Sequence, residues 1–193
     1  MKTIKDKIIF EQEINKSKFI TYLYPCDDVK QAKIYLQEVK KIHPQATHHV
    51  SVYIIGKTGE YGQANDDKEP SNTAAKPIMD VFRKNDITNF ICIVVRYFGG
   101  IKLGAGGLIR AYSSSASLAL NEACIIDIIE YEELFIEYNY TFDGIINNII
   151  KDYVIINKNY TTNIQTTIKL PKNEINKLKE KLIAITNNHI IFK

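Results

Sequence analysis

The spacing of hydrophobic and polar residues along the first two thirds of the chain predicts strands that alternate with helices. Residues 18–25 alternate and stop at a proline, which is typical of a strand. Apolar residues then recur at helical spacing over 29–42, behind a candidate cap at Asp27 or Asp28. The pattern next predicts a strand over 50–55, a polar loop over 57–70, a helix through 76–82 capped by Ser71 or Asn72, a strand over 89–95 and a helix over 108–123.

The last third of the chain has a second, complete pattern of its own. It predicts strands over 133–140, 153–160, 163–170 and 188–192, with helices over 143–151 and 174–185. The resulting order, βαββαβ, is that of a ferredoxin-like sandwich. The sequence therefore predicts an α+β protein with two domains, residues 1–130 and 131–193.

Composition indicates a folded protein. Of the 193 residues, 45% are hydrophobic and 24% are charged, which is far from the composition of disordered chains. The longest apolar run, over 90–95, is much shorter than the roughly 20 residues that cross a bilayer as a helix. The charged N-terminal segment lacks the apolar stretch of a signal peptide. We therefore expect a cytoplasmic protein that does not bind a membrane.

Charge and cysteine content narrow the candidate functions. A net charge of +3 is too small to predict nucleic-acid binding from the whole molecule, so any such binding depends on local clusters. Cys26, Cys92 and Cys124 are odd in number and form no Cys-x-x-Cys pair, which excludes a disulfide framework and a zinc ribbon. We expect three free thiols without a catalytic role, with Cys92 in the core.

The segment 96–112 holds the densest group of glycines in the chain. They are Gly99, Gly100, Gly104, Gly106 and Gly107. A glycine-rich stretch between a strand and a helix exposes backbone N–H groups beside the positive helix end, and this combination attracts anions. Arg96, Lys102 and Arg110 add three cations, although the spacing matches neither a Walker loop nor a dinucleotide fingerprint. Alternatively, the glycines only permit tight packing and Arg110 pairs with an internal carboxylate.

A second polar cluster precedes the helix at 76–82. Asp66, Asp67 and Glu69 place three carboxylates within four residues, which can bind a divalent cation or act as acid and base. The spacing is not that of an EF-hand loop, so we expect no metal and no cofactor. The plainer interpretation is that Asp66 or Glu69 caps the following helix or pairs with Arg96 or Arg110.

Two adjacent histidines, His48 and His49, precede the second strand. Neighbouring residues of a strand point to opposite faces, so the two cannot both bind one metal ion. One is expected to be hydrogen-bonded in the core and the other to be exposed. The alternative is that they line a cleft together with the acidic cluster and Thr73.

Three segments together resemble the successive signatures of the IMPACT/YigZ family. They are residues 43–49, with His-Pro and Ala-Thr-His-His, residues 66–77, and residues 96–112. The Lys-Ser-Lys-Phe of residues 16–19 resembles the opening motif of the same family. The resemblance covers about residues 15–125, and the C-terminal part is similar only in its order of elements. Positions usually occupied by glycine in the acidic segment carry Lys68, Asn72 and Ala75.

This resemblance implies a fold and a cellular role. It implies an N-terminal domain of the ribosomal-protein second-domain-like fold, which elongation factor G also contains. It implies a ferredoxin-like C-terminal domain that resembles the last domain of elongation factor G. Eukaryotic members regulate translation through a ribosome-associated activator of a starvation-responsive kinase. The resemblance therefore implies translation regulation in a stress response.

The first functional hypothesis is a non-enzymatic protein that binds RNA, the ribosome or translation factors. Arg96, Lys102, Arg110 and the glycine amides would contact phosphates, which gives affinity without sequence specificity. Tyr97, Phe98 and Tyr112 are candidates for stacking on bases where they are exposed, and the alternative for each is a place in the core.

Two other classes stay open. One is an enzyme acting on a phosphorylated small molecule, with His48 and the acidic cluster across a cleft from the glycine segment. The other is a protein-interaction module that uses the ferredoxin-like sheet. The orientation of the acidic cluster discriminates between the RNA-binding protein and the enzyme. If the cluster points away from the glycine segment, the enzyme has no acid or base.

Overall fold

The computed structural model describes residues 1–193, and the chain divides into two compact units, Met1–Ile128 and Ile129–Lys193. In chain order the first unit contains β1 (Lys2–Ile4), β2 (Ile8–Ile14), β3 (Ser17–Pro25), α1 (Val29–Ile42), β4 (His48–Ile55), β5 (Tyr61–Asn65), α2 (Ala75–Lys84), β6 (Phe90–Tyr97), α3 (Gly104–Glu122) and β7 (Ile125–Asp127). The second unit contains β8 (Tyr131–Tyr138), α4 (Asp143–Ile150), β9 (Val154–Tyr160), β10 (Ile164–Pro171), α5 (Ile175–Thr186) and β11 (Ile190–Phe192), with short 3-10 turns at Tyr140–Phe142 and Lys172–Glu174. The predicted α+β class is confirmed.

A five-stranded antiparallel sheet organises the first unit. Its strand order is β2-β3-β6-β4-β5, and a separate two-stranded ribbon pairs β1 with β7. Helices α2 and α3 cover one face of the sheet, and α1 covers the other. The central strand β6 is buried up to its last residue, which explains its uninterrupted apolar run.

Alternation along β6 sorts its residues between the two cores of the unit. Phe90, Cys92 and Val94 pack under α2 and α3, whereas Ile91 and Val95 pack under α1. The same alternation continues past the apolar run, so that consecutive polar residues at the end of β6 lie on opposite faces. This register decides which side chains of the predicted site meet.

The second unit is a ferredoxin-like sandwich, as predicted. Its antiparallel sheet has the order β11-β8-β10-β9. One face packs against α4 and α5, so that Leu134, Ile136 and Ile168 of the sheet share a core with Ile150 and Leu182 of the helices. Each strand and helix of this unit lies within two residues of its predicted bounds.

Several elements of the first unit differ from the prediction. Strand β5 lies inside the segment predicted as a polar loop, and β1, β2 and β7 are not predicted at all. All five residues of β5 are exposed, so the strand has no buried face and no hydrophobic alternation to reveal it. Helix α3 begins at Gly104, four residues earlier than predicted, which places Gly104, Gly106 and Gly107 in its first turn.

The cysteines and the helices bear on two further expectations. Cys26 and Cys92 are buried and Cys124 is exposed, and all three are free, as predicted. Burial raises the pKa of the Cys26 thiol to about 11 and that of Cys92 further, so both stay protonated near neutral pH. None of the helices has the length and apolar character that spanning a membrane requires.

Candidate functional site

A pocket of about 380 Å³ opens in the first unit between the acidic cluster and the start of α3. Its walls are Thr47 and His48 at the start of β4, Glu69 and Pro70 of the acidic cluster, Arg96 and Phe98 at the end of β6, and Lys102, Leu103, Gly104, Ala105 and Leu108 around the start of α3. Glu69 of the acidic cluster thus faces the start of α3, and each of the three segments that the sequence singled out contributes to one pocket.

A buried ion pair forms the floor of the pocket. The Nη1 atom of Arg96 donates to Oε1 of Glu69 at 2.6 Å, and the side chains are only 5% and 3% exposed. The Tyr112 hydroxyl donates to the same oxygen at 2.7 Å. Burial first, and then the Glu69 carboxylate, raises the pKa of Tyr112, so its hydroxyl stays a donor. The predicted pairing of Glu69 with an arginine is confirmed, and Arg96 is therefore not a free cation.

One N–H group of the Arg96 side chain is not hydrogen-bonded. Its Nε atom is buried and has no hydrogen-bond partner. The group lies 5.5 Å from the centre of the Phe19 ring and 5.6 Å from that of Phe98. A buried N–H group without a partner costs about 1–3 kcal/mol, and it marks a position where a bound group can complete the hydrogen bonding.

His48 faces this floor with one defined ring nitrogen. Its Nδ1 atom is 2.8 Å from the carbonyl oxygen of Asp67, and because a carbonyl only accepts, Nδ1 carries a hydrogen. The other nitrogen, Nε2, lies 3.6 Å from Oε1 of Glu69. His48 pairs across the strands with Arg96, which puts both side chains on the α2–α3 face of the sheet. With Nδ1 engaged by Asp67, Nε2 is the ring nitrogen that faces the floor of the pocket.

The start of α3 supplies the positive side of the pocket. Leu103 is at the cap position, and no side chain caps the helix, so its first N–H groups lack the usual side-chain acceptor. Lys102 is exposed and lines the pocket beside this helix end. A Cβ atom added at Gly106 would lie 3.6 Å from Nη1 of Arg110, so the Arg110 guanidinium lies over the first helical turn. Two cations therefore flank the helix end.

The glycines of this segment have different reasons to be glycine. Gly100 and Gly104 adopt left-handed conformations, with φ of 85° and 68°. A Cβ at Gly99 would lie 1.9 Å from the backbone oxygen of Lys16, so Gly99 permits the close approach of the turn between β2 and β3. Gly106 has ordinary helical geometry, and a Cβ there would meet only the Arg110 side chain at van der Waals distance, so nothing in the backbone requires glycine. The glycine segment therefore contributes to the pocket in two ways: its backbone conformation shapes the wall, and its backbone N–H groups are exposed there.

Most of the acidic cluster builds the loop rather than lining the pocket. The Asp66 carboxylate accepts from the backbone N–H groups of Asn72, Ala74 and Ala75 at 2.9, 3.2 and 2.7 Å. It thereby caps α2, as one interpretation predicted, whereas the caps Ser71 and Asn72 were wrong because the helix begins later, at Ala75.

Asp67 and Thr73 also serve the loop itself. Asp67 accepts from the backbone N–H of His49 at 2.6 Å, and the buried Thr73 hydroxyl donates to the carbonyl of Pro70 at 2.6 Å. Lys68 and Asn72 adopt left-handed conformations, with φ of 71° and 63°, at positions where the resemblance leads one to expect glycine.

Two candidate residues lie on the other face of the sheet. The Tyr97 hydroxyl is 2.9 Å from Nδ1 of His43, and Nε2 of His49 donates to the His43 carbonyl at 3.0 Å. Burial lowers the pKa of His43, with the neighbouring His49 as the next cause. His48 and His49 point to opposite faces, as predicted, but the expectation that one of them is exposed is wrong, because their side chains are only 14% and 11% exposed. The placement of Tyr97 beside Arg96 in one site is also wrong, because consecutive strand residues point to opposite faces. The sequence analysis did not identify Thr47 or Leu103, and the only signal for Thr47 is its position directly before His48 at the start of β4.

Comparison with protein families covers both units. Residues 15–120 match the Impact N-terminal domain, and residues 149–189 match a domain of unknown function, DUF1949. Among solved structures, the chain is similar to one described as the crystal structure of a hypothetical protein. That similarity has a TM-score of 0.67 and 28% identity, and it covers 99% of this chain and 95% of the other.

Two relatives extend the similarity over most of the chain. IMPACT family member YvyE of Bacillus subtilis is 36% identical over 187 residues, which cover 96% of this chain and 86% of the relative. IMPACT family member YigZ of Escherichia coli is 32% identical over 175 residues, which cover 89% of this chain and 86% of the relative. The motifs, the matched domains and these near full-length similarities agree, and the chain belongs to the IMPACT family.

Proposed function

We propose that this protein is a cytoplasmic, non-enzymatic regulator of translation that binds RNA phosphates, free or in the ribosome, at the pocket of its first unit. One observation carries the proposal: the start of the 19-residue helix α3 has no side-chain cap and opens on the pocket beside Lys102. Orphan N–H groups and the helix dipole favour an anion at such an end. Membership in the IMPACT family supports a role in translation.

The charges around α3 favour an anion further. Arg96 is neutralised by Glu69, so the net positive charge near the pocket comes from Lys102, Arg110 and the helix end. Both of these cations are exposed and can exchange counterions for phosphates. Phe98 is 47% exposed at the same edge and offers a ring on which a base can stack.

Salt dependence tests this proposal. Binding of unrelated single-stranded RNAs and of ribosomes should weaken steeply as salt rises, and Lys102→Ala and Arg110→Ala should each reduce the slope of log K against log salt by about one. Lys33→Ala is the matched control, because Lys33 is exposed on α1, on the opposite face of the sheet. Folded variants with the wild-type slope would show that phosphates do not sit at α3.

A second candidate function, an enzyme acting on a phosphorylated small molecule, is favoured by one observation. The hydrogen bond from His48 Nδ1 to the Asp67 carbonyl leaves Nε2 as the ring nitrogen on the pocket side. Within the acidic cluster Asp66 and Asp67 are engaged by backbone N–H groups and Glu69 by Arg96, so His48 is the candidate base. Turnover of a phosphate ester that disappears in His48→Gln, with RNA binding retained, would establish this function instead.

A further inference from the structure

We propose that the pocket binds a nucleoside 5′-monophosphate, either as the 5′-terminal residue of an RNA or as a free nucleotide. The phosphate lies at the start of α3 beside Lys102, and the base lies against Phe98 with its polar edge toward Arg96 and Glu69. This inference rests on the proposed function, because it names the ligand of the same site.

The size and shape of the pocket favour a terminal group over a continuous strand. Its volume of about 380 Å³ lies within the range of roughly 300–1,000 Å³ that is typical of small-molecule sites. Arg96 and Glu69 close the inner end, since their side chains are 5% and 3% exposed. A strand that enters here has no passage through that floor, whereas a single nucleotide at a chain end fills the space and stops.

The positive wall favours a terminal phosphate in particular. A terminal phosphate monoester carries more negative charge than an internal diester, and its additional oxygen can accept another hydrogen bond. The unpaired N–H groups of the first turn of α3 and the exposed ammonium group of Lys102 supply the matching donors. The attraction to this wall is therefore stronger for the end of a chain than for its interior.

The inner end provides an independent sign of a missing ligand. The Arg96 side chain is more than nine-tenths buried and lines the pocket, yet its Nε atom has no partner. Arg96, Tyr112 and His48 all approach Oε1 of Glu69, and none of these three contacts uses Oε2. The floor thus contains a donor without a partner, Nε of Arg96, and a carboxylate oxygen that none of these three contacts uses, Oε2 of Glu69. A nucleobase edge carries both acceptors and donors, so it complements such a floor.

The side wall suits the flat face of a base. Phe98 is 47% exposed, and the Arg96 guanidinium lies 5.6 Å from its ring centre. Leu103 and Leu108 line the pocket with apolar surface. Aromatic rings stack on any base, so the site discriminates for a 5′-phosphate and a base together rather than for a particular sequence.

Calorimetric titration of the full chain with matched probes tests the inference. The probes are one short RNA with a 5′-phosphate, the same RNA with a 5′-hydroxyl, AMP, adenosine and inorganic phosphate. The 5′-phosphorylated RNA should bind about tenfold more tightly than its 5′-hydroxyl form, and AMP more tightly than adenosine or phosphate by a similar factor. AMP should displace the 5′-phosphorylated RNA.

Two variants separate the base from the phosphate. Phe98→Ala should weaken AMP binding about tenfold and leave the binding of inorganic phosphate unchanged, whereas Lys102→Ala should weaken both. Ile101→Ala is the matched control, because Ile101 is a neighbouring apolar residue, 44% exposed, that does not line the pocket. Melting temperatures establish that each variant is folded.

The outcomes distinguish this inference from the proposed function. Equal binding of the two RNAs, with Lys102 still required, overturns the terminal nucleotide and leaves phosphate binding by RNA in place. Binding of AMP without any binding of RNA supports the nucleotide site and overturns the proposed function. Binding of neither AMP nor RNA overturns both.

Discussion

The two walls of the pocket hold their shape by opposite means. The glycine segment relies on side chains that are absent: Gly99 lets two backbones approach, and Gly100 and Gly104 take left-handed conformations. The acidic cluster relies on side chains that are present: Asp66 caps α2, and Glu69 pairs with Arg96. Adding a side chain should therefore destabilise the glycine wall, and removing a side chain should destabilise the acidic wall.

The largest effect is expected at the buried ion pair. Glu69→Ala leaves the Arg96 guanidinium group buried without a carboxylate, and breaking such a pair from one side costs about 3–5 kcal/mol. Chemical denaturation should show this loss in the free energy of unfolding. Glu38→Ala, on the exposed face of α1, is the control and should change stability by less than about 0.5 kcal/mol. A loss of similar size in both variants would contradict a special role for Glu69.

The second-largest loss of stability is expected when a side chain is added to the glycine wall. Gly99→Ala places a Cβ at 1.9 Å from the Lys16 carbonyl oxygen, and since backbone must move, we expect a loss of about 3 kcal/mol. Thermal unfolding measures it, with Gly106→Ala as the matched control because that position has space. Gly99→Ala as stable as wild type would show that the turn between β2 and β3 can shift freely.

Removing the helix cap should have a moderate effect. Asp66→Ala leaves the N–H groups of Ala74 and Ala75 at the start of α2, and that of Asn72 in the preceding loop, without their acceptor, and the loss of a cap costs about 1–2 kcal/mol. Asp66→Asn retains one acceptor oxygen and should recover part of this stability. Denaturation curves in which the two variants coincide would contradict the capping role.

The smallest effects on stability are expected at two exceptions: Lys68, whose side chain is unfavourable in the acidic wall, and Gly106, a glycine that the glycine wall does not require. Lys68→Gly removes a side chain from the acidic wall but relieves a left-handed conformation, so it should stabilise the protein by up to about 1 kcal/mol. Lys68→Ala is the control, because it keeps the Cβ and therefore the strain.

In the glycine wall Gly106→Ala adds a side chain at an open helical position and should stabilise the protein by about 0.5–1 kcal/mol. Destabilisation by Lys68→Gly or by Gly106→Ala would break the comparison.

The second unit shows how much a clear pattern can predict. Strand β10 and the second half of β8 alternate between buried and more exposed residues, so the pattern is visible in the sequence, as along Ile164 to Leu170. In the first unit α1 was equally clear, with Asp28 confirmed as its cap. Strand β5 was missed because all of its residues are exposed, and the first turn of α3 was missed because glycine is a poor helix former.

By itself, the sequence determined the α+β class, the ferredoxin-like order and the segments that form the pocket, because periodicity and glycine content are local properties. Only the tertiary structure decided which residues of those segments meet. His48 and Arg96 share the pocket, whereas His49 and Tyr97 lie on the other face of the sheet. Strand β6 is buried on both faces, so hydrophobicity does not distinguish its faces, and the packing of α2 and α3 against one of them makes the choice.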